Sequence, residues 1–255
     1  MKLKDKVAIV TGGGTGIGEA TAILFAKEGA NVIVTGRRKE MLQKVQEDAE
    51  KQNLKIDYVV CDVSKEENCK STVDHAIDKY GHVDILFNNA GVLPLGLTHE
   101  TSVEDWDNVF DINVKGTFLM SKNVIPHMIK QGHGTIVNNA SVLGLKAIPG
   151  TAAYNASKGA ITQLTRSMAL EYGESGIRVN CICPGTIMTP MVESFLEERP
   201  EVKGFLESKQ PITKSRGNFG IPDEIAHAVL FLSDSENVHF MTGTMLSVDG
   251  GWIAS

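Results

Sequence analysis

"IVTGGGTGIGEATAILFAKEGA", residues 9–30, begins as an apolar run, breaks at a cluster of glycines and resumes with the spacing of an amphipathic helix. Gly12, Gly16 and Gly18 therefore stand where a strand must turn sharply into a helix. The first amides of a helix have no partners within it and carry partial positive charge. They can face a pyrophosphate, and side chains in the turn would block its approach. The spacing is G-x-x-x-G-x-G, not G-x-G-x-x-G. A plain tight turn would account for an isolated glycine cluster. Here the cluster follows a strand, precedes a helix and lies near the N-terminus of a chain in which the two alternate, which favours nucleotide binding.

The alternation runs the length of the chain. Short β-branched runs recur at 6–10, 31–35, 56–60, 83–87, 134–138, 177–182 and 245–249. Helical stretches lie at 16–28, 38–52, 64–79, 101–129, 152–173 and 222–232. This pattern predicts an α/β fold: a doubly wound, Rossmann-type parallel sheet of about seven strands with helices on both faces. At 255 residues with average apolar content, a single domain over 1–255 is expected. The least regular part, 184–220, is rich in Pro, Gly, Met and charges and reads as a loop with short helices, a lid or substrate loop.

Composition excludes several classes. A net charge of -6 gives no general attraction to phosphate backbones or anionic membranes, so no nucleic-acid or membrane partner is expected. Cys61, Cys69, Cys181 and Cys183 lack paired metal-knuckle spacing, and Cys181 and Cys183 fall inside the apolar run "IRVNCICP". They read as free core thiols in a reducing compartment, with no metal site. "MKLKDKVAIV" contains neither a long apolar segment nor a small-residue cleavage site, and no stretch reaches membrane-spanning length. A soluble, cytoplasmic protein is the expectation.

A second signal is "YNASKGAITQLTRSMALEY", residues 154–172, in which Tyr154 and Lys158 share one helical face. An ordinary surface pair would look the same. The full series is more specific: "TGGGTGIG" (11–18), "CDV" (61–63), "NNAG" (88–91), Asn113 in "DINVKGTF", Ser141 in "NNAS", Tyr154-x-x-x-Lys158 and "PGTIMTP" (184–190). On these motifs, in this order, the chain resembles the short-chain dehydrogenase/reductase family in its compact single-domain branch, from Val7 to about Trp252. Ala140 departs slightly, since many relatives carry serine there.

The resemblance implies hydride transfer between a nicotinamide cofactor and a carbonyl or alcohol. A proton must then be given to, or taken from, the substrate oxygen. A free tyrosine, with pKa about 10, is a poor base at neutral pH. A neighbouring ammonium and the positive ring of the oxidised cofactor are expected to lower that value by Coulombic attraction. The resemblance assigns Tyr154 as general acid/base, Lys158 as its modifier and ribose ligand, Ser141 as the holder of the substrate oxygen, and Asn113 as the carrier of a relay water. It assigns the dinucleotide to Gly12, Thr15, Gly16, Ile17 and Gly18 and the adenine to Asp62 and Val63. Asn89, Ala90 and Gly91 lie along the adenosine, and Pro184, Gly185, Ile187 and Thr189 belong to the segment at the carboxamide and pyrophosphate. A helix cap is the alternative reading of Asp62.

An NAD site usually ends its second strand with a carboxylate for the ribose hydroxyls. This chain has Gly36 followed by Arg37 and Arg38. A small residue leaves room for a 2'-phosphate and a guanidinium can clamp it, so NADP is expected over NAD. Against this, arginine pairs at helix starts are often merely solvated, and Thr15 stands where many NADP-using relatives carry a basic residue. The substrate pocket, by analogy, is walled by Leu93, Pro94, residues 142–145 and residues 188–196. These side chains are mostly apolar, which fits a hydrophobic ketone or secondary alcohol, a cyclic one among them. The alternatives are an NAD-dependent polyol or hydroxysteroid dehydrogenase and a non-catalytic dinucleotide-binding regulator. The resemblance further implies a homotetramer assembled through the helices at 101–129 and 152–173 and through the C-terminal strand with "GGWIAS".

Overall fold

A computed structural model describes residues 1–254. Seven parallel strands form one sheet in the order β3-β2-β1-β4-β5-β6-β7. They are β1 (Val7–Thr11), β2 (Asn31–Gly36), β3 (Ile56–Val60), β4 (Ile85–Asn88), β5 (Gly134–Asn139), β6 (Ile177–Pro184) and β7 (Met245–Val248). Alternate side chains of a strand point to opposite faces. Ala8 and Val10 of β1 pack on one side with Phe25 of helix α1 (Gly16–Lys27) and Val229 of α10 (Pro222–Ser233). Ile9 packs on the other with Val73 of α3 (Glu66–Tyr80) and Met120 and Val124 of α5 (Gly116–Gln131). Both faces are covered, which is why the strands read as continuous apolar runs.

The sheet order reverses between β1 and β4, so the crossovers leave β1 and β4 in opposite directions and open a crevice at their C-terminal ends. Here the glycine turn is held under tight steric limits. Gly12 adopts φ +63°, and a Cβ on Gly18 would collide with the Gly12 carbonyl and come within 2.6 Å of Asn89 Nδ2. Gly18 thus lets α1 pack against the turn from beneath.

One sequence reading is corrected. The helix expected over 101–129 is α4 (Val103–Val109), a π-helical segment at Phe110–Lys115 and then α5. The wide segment carries Asn113 inward, where Oδ1 accepts from the Val92 N–H (2.9 Å) and Nδ2 donates to Val92 O (3.1 Å) and Ser157 Oγ (3.0 Å). The helix expected at 38–52 is α2 (Lys39–Glu50). The irregular 184–220 region holds three short helices: α7 (Pro190–Glu198), α8 (Lys203–Lys209) and α9 (Ile212–Arg216). The last residue of "GGWIAS" lies outside the described residues.

Because the space at Gly18 is closed by backbone, Gly18→Ala should destabilise the protein by about 1–3 kcal/mol. Urea unfolding of the variant checks this. A midpoint equal to that of the parent would show that the turn can yield.

Candidate active site

A cleft of about 520 Å³ opens at the C-terminal ends of the strands. Its walls include Gly12, Thr15, Gly16, Ile17, Arg37, Arg38, Asp62, Val63, Asn89, Ala90, Gly91, Ser141, Tyr154, Lys158, Pro184, Gly185, Ile187 and Thr189. Gly18 and Asn113 are the two expected site residues that do not line it; one supports the turn, the other lies behind Lys158. A Cβ on Gly91 would sit 3.3 Å from Asn113 Oδ1 and 3.6 Å from Lys158 Nζ, so glycine there lets both groups close on the cleft floor.

One hydrogen-bonded line joins the glycine turn to the lysine. Thr11 Oγ1 accepts from the N–H groups of Asn89 (2.8 Å) and Ala90 (3.0 Å). Asn89 Nδ2 donates to the carbonyls of Thr11 (3.0 Å) and Gly12 (3.2 Å), while Asn89 Oδ1 accepts from Asn139 Nδ2 (2.9 Å). Asn139 O in turn accepts from Lys158 Nζ at 2.7 Å. Lys158 and Tyr154 occupy α6 (Ala152–Tyr172), with Nζ 5.4 Å from the phenol ring centroid. Ser141 follows β5; its Oγ accepts from the Leu143 N–H (3.1 Å) and hydrogen-bonds the Tyr154 side chain.

Burial pushes the Tyr154 pKa up to about 12, only partly opposed by Ser141, and pushes Lys158 down to about 8. Tyr154 therefore carries its proton at pH 7 in this state. The Lys158 ammonium donates to the Asn139 carbonyl.

At the other end of the cleft, Gly36 has no atom near its Cβ position except Leu42 Cδ2 at 3.7 Å. Arg38 Nη2 donates to Thr15 Oγ1 at 3.4 Å. Asp62 lines the cleft but does not cap α3, whose N-cap is Lys65; its Oδ1 instead accepts from the N–H (3.0 Å) and Oγ (2.8 Å) of Ser64 in the turn before that helix. Burial opposes its ionisation, but those bonds and the Arg37 charge hold its pKa below the ordinary value. Across the cleft, Thr189 caps α7 and lies against Gly16.

The apolar wall is partly as expected. Tyr154, Met188, Phe195, Leu196 and Ile148 pack with Val142 and Leu143. Met191 and Val192 line the cleft, Leu145 packs behind β6, and Leu93 and Pro94 join neither the cleft walls nor this cluster. Leu206, Phe219 and Trp252 complete the wall without local sequence signals to place them. Gln210 was missed as well. Buried after α8, it accepts from the Thr186 N–H at 2.9 Å through Oε1 and donates to Leu206 O at 3.3 Å through Nε2, pinning the lid to the segment after β6.

A doubly wound sheet with this cleft is the architecture of a dinucleotide-dependent oxidoreductase. The enoyl-(acyl carrier protein) reductase family model matches residues 12–253, and the chain belongs to the short-chain dehydrogenase/reductase family. It is 40% identical to the 3-oxoacyl-(acyl-carrier-protein) reductase FabG of Thermotoga maritima, over 99% of this chain and 100% of that one. It is 37% identical to the cyclopentanol dehydrogenase of Comamonas testosteroni, over 100% and 99% of the two chains. The crystal structure of levodione reductase superposes with a TM-score of 0.91 at 34% identity, covering 99% of each chain. The protein is thus an oxidoreductase acting on CH–OH and C=O groups.

If Lys158 must be charged for Tyr154 to act, kcat/KM for ketone reduction should hold below and fall above about pH 8, where Lys158 loses its proton. A pH–rate profile checks this. Lys158→Arg, which stays charged, should keep residual activity without that limb.

Proposed function

We propose that the enzyme interconverts a hydrophobic, cyclic ketone and its secondary alcohol with NADP(H). The observation that carries this reading is the meeting of the Tyr154 phenol, the Ser141 hydroxyl and the Lys158 ammonium in one cleft beside an apolar wall. The relatives' names point the same way, since they include a cyclopentanol dehydrogenase, a cyclohexanol dehydrogenase and a levodione reductase.

The cleft suits a dinucleotide on its own features: side chains at Gly12 and Gly16 would fill the cradle before α1, and guanidinium groups stand at the β2 end. When bound, the nicotinamide supplies or accepts the hydride. The glycine turn would hold the pyrophosphate, Asp62 and Val63 the adenine, residues 89–91 the adenosine, and Pro184, Gly185, Ile187 and Thr189 the nicotinamide end. Ser141 Oγ and the Tyr154 phenol together hold the substrate oxygen. In reduction Tyr154 donates its proton as charge develops on that oxygen; Lys158 favours the resulting phenolate and hydrogen-bonds the ribose. The Asn113 amide holds Val92 and Ser157, and a water beside it can return a proton to Lys158. NADP is supported by the open space at Gly36 and by Arg37 and Arg38 on the cleft wall.

A homotetramer is the proposed assembly. Val103 and Trp106 on α4, Phe118 on α5 and Leu170 on α6 leave apolar surface exposed on the helices assigned to one interface.

Tyr154→Phe keeps the ring and removes the transferable proton, so turnover should nearly vanish while dinucleotide binding, followed by fluorescence, largely persists. Retained turnover would exclude Tyr154 as the acid. For the cofactor, a charged hydrogen bond is worth roughly 1.5–3 kcal/mol. Arg37→Ala should raise KM for NADPH by about 10- to 100-fold and leave NADH kinetics nearly unchanged. Equal weakening of both would revert Arg37 to a solvated helix start.

A further inference from the structure

We propose that a second cavity, at the N-terminal end of the sheet, is a ligand site that takes a small molecule bearing an oxyanion, with Arg178 as its anchor. The cavity measures about 550 Å³ and lies at the opposite strand ends from the dinucleotide cleft. Its walls include Lys6, Asp84, His133, Arg178, Ser233 and His239.

The charge balance decides what can enter. Asp84 contributes the one carboxylate on the wall, and its neighbours already engage it. The Val7 N–H lies at 2.8 Å, Lys6 Nζ at 3.2 Å, and the Nε2 atoms of His82 and His133 at 3.1 Å each. Lys6 therefore offsets Asp84, and the guanidinium remains. Arg178 is 7% exposed, yet its bonds go to neutral acceptors: Leu232 O at 2.9 Å, Thr135 Oγ1 at 3.0 Å and Met241 O at 3.3 Å. Among the described residues no carboxylate lies within ion-pair distance of it. Asp234 acts on Arg178 only at longer range and is itself engaged by Lys2 and Asn237. Burial without a counter-ion is costly for a guanidinium and pulls its pKa below the usual value.

An independent observation lies on the same wall. Ser233, 2% exposed, has a buried hydroxyl with no hydrogen-bond partner. Buried polar groups are nearly always satisfied, so an orphan beside a cavity calls for a missing partner. An oxyanion answers both needs at once, pairing with the guanidinium and accepting from the hydroxyl. Ligand pockets run from about 300 to 1,000 Å³. A cavity of this size has room for a small organic body behind the anion, so the class is a phosphorylated or carboxylated metabolite.

The test is calorimetric titration of the holoenzyme, saturated with the dinucleotide it turns over so that the glycine turn is already filled. Inorganic phosphate is the probe in one arm and succinate in the other. One saturable site per chain is expected, and the tighter of the two probes assigns the anion. Ser233→Ala removes an unsatisfied group, so it should leave the melting temperature and turnover unchanged while weakening the probe by about three- to tenfold. Arg178→Lys, which has fewer donors to share between the protein acceptors and the anion, should weaken it further. If that variant fails to fold, Ser233→Ala still carries the test. Absence of saturable binding in the millimolar range, or equal affinity in the parent and Ser233→Ala, would overturn the proposal and leave Arg178 as a clamp on Thr135, Leu232 and Met241.

Discussion

An ammonium group buried to 3% exposure, with one protein carbonyl at 2.7 Å, is the constraint on which the catalytic end of the molecule depends. Burying such a charge is expensive unless its acceptor is rigidly placed. The acceptor is Asn139 O, at the end of a central strand covered on both faces. Its side chain is tied to Asn89, which is tied to the glycine turn. Displacing any of these strand ends would move the acceptor away from a charge that has few alternatives. The stability of the sheet and the electrostatics of the cleft are therefore the same problem.

The reversal of strand order between β1 and β4 creates the crevice, and the asparagines at the strand ends line and brace it. Asn88 Nδ2 reaches Asn138 Oδ1 at 2.9 Å and Ser121 Oγ at 3.1 Å, while Asn138 Nδ2 reaches Thr165 Oγ1 at 2.9 Å. Two layers of amides thus cross from β4 to β5, one facing the helices and one facing the cleft. Strand ends need partners for backbone and side chain alike once the ladder stops. Amide side chains provide donor and acceptor together. This bracing lets the cleft be both open and stiff.

Much of this was legible in the sequence. The strand runs are buried on both sides and so leave an uninterrupted apolar signature, and all seven were found in place. Tyr154, Lys158, Ser141 and the glycine turn were legible because each belongs to a local motif. What escaped depends on contacts distant in sequence. The π-helical segment escaped because no residue type in Phe110–Lys115 marks a widened turn. Gln210 has no local signature, and its partner Thr186 lies 24 residues away. Burial of the Tyr154 phenol, which raises its pKa, is likewise not written in spacing, because spacing reports a neighbouring charge but not the loss of solvent. Gly18 was assigned with the other turn glycines as a place where a side chain would block a pyrophosphate; a Cβ there would first meet Gly12 and Asn89.

The π-helical segment also sets an angular relation. An α-helix advances about 100° per residue, so one residue more or fewer rotates everything beyond it by that angle. The wide turn at Phe110–Lys115 acts as a phase shift between α4 and α5. It turns Val103 and Trp106 outward while Met120, Val124 and Met128 on α5 stay in the core. An uninterrupted helix of the same sequence could keep only one of those two faces in register. The outward face of α4 is thereby set independently of the face that α5 packs against the sheet, with Trp106 stacked on Phe110 at 4.8 Å where the two meet.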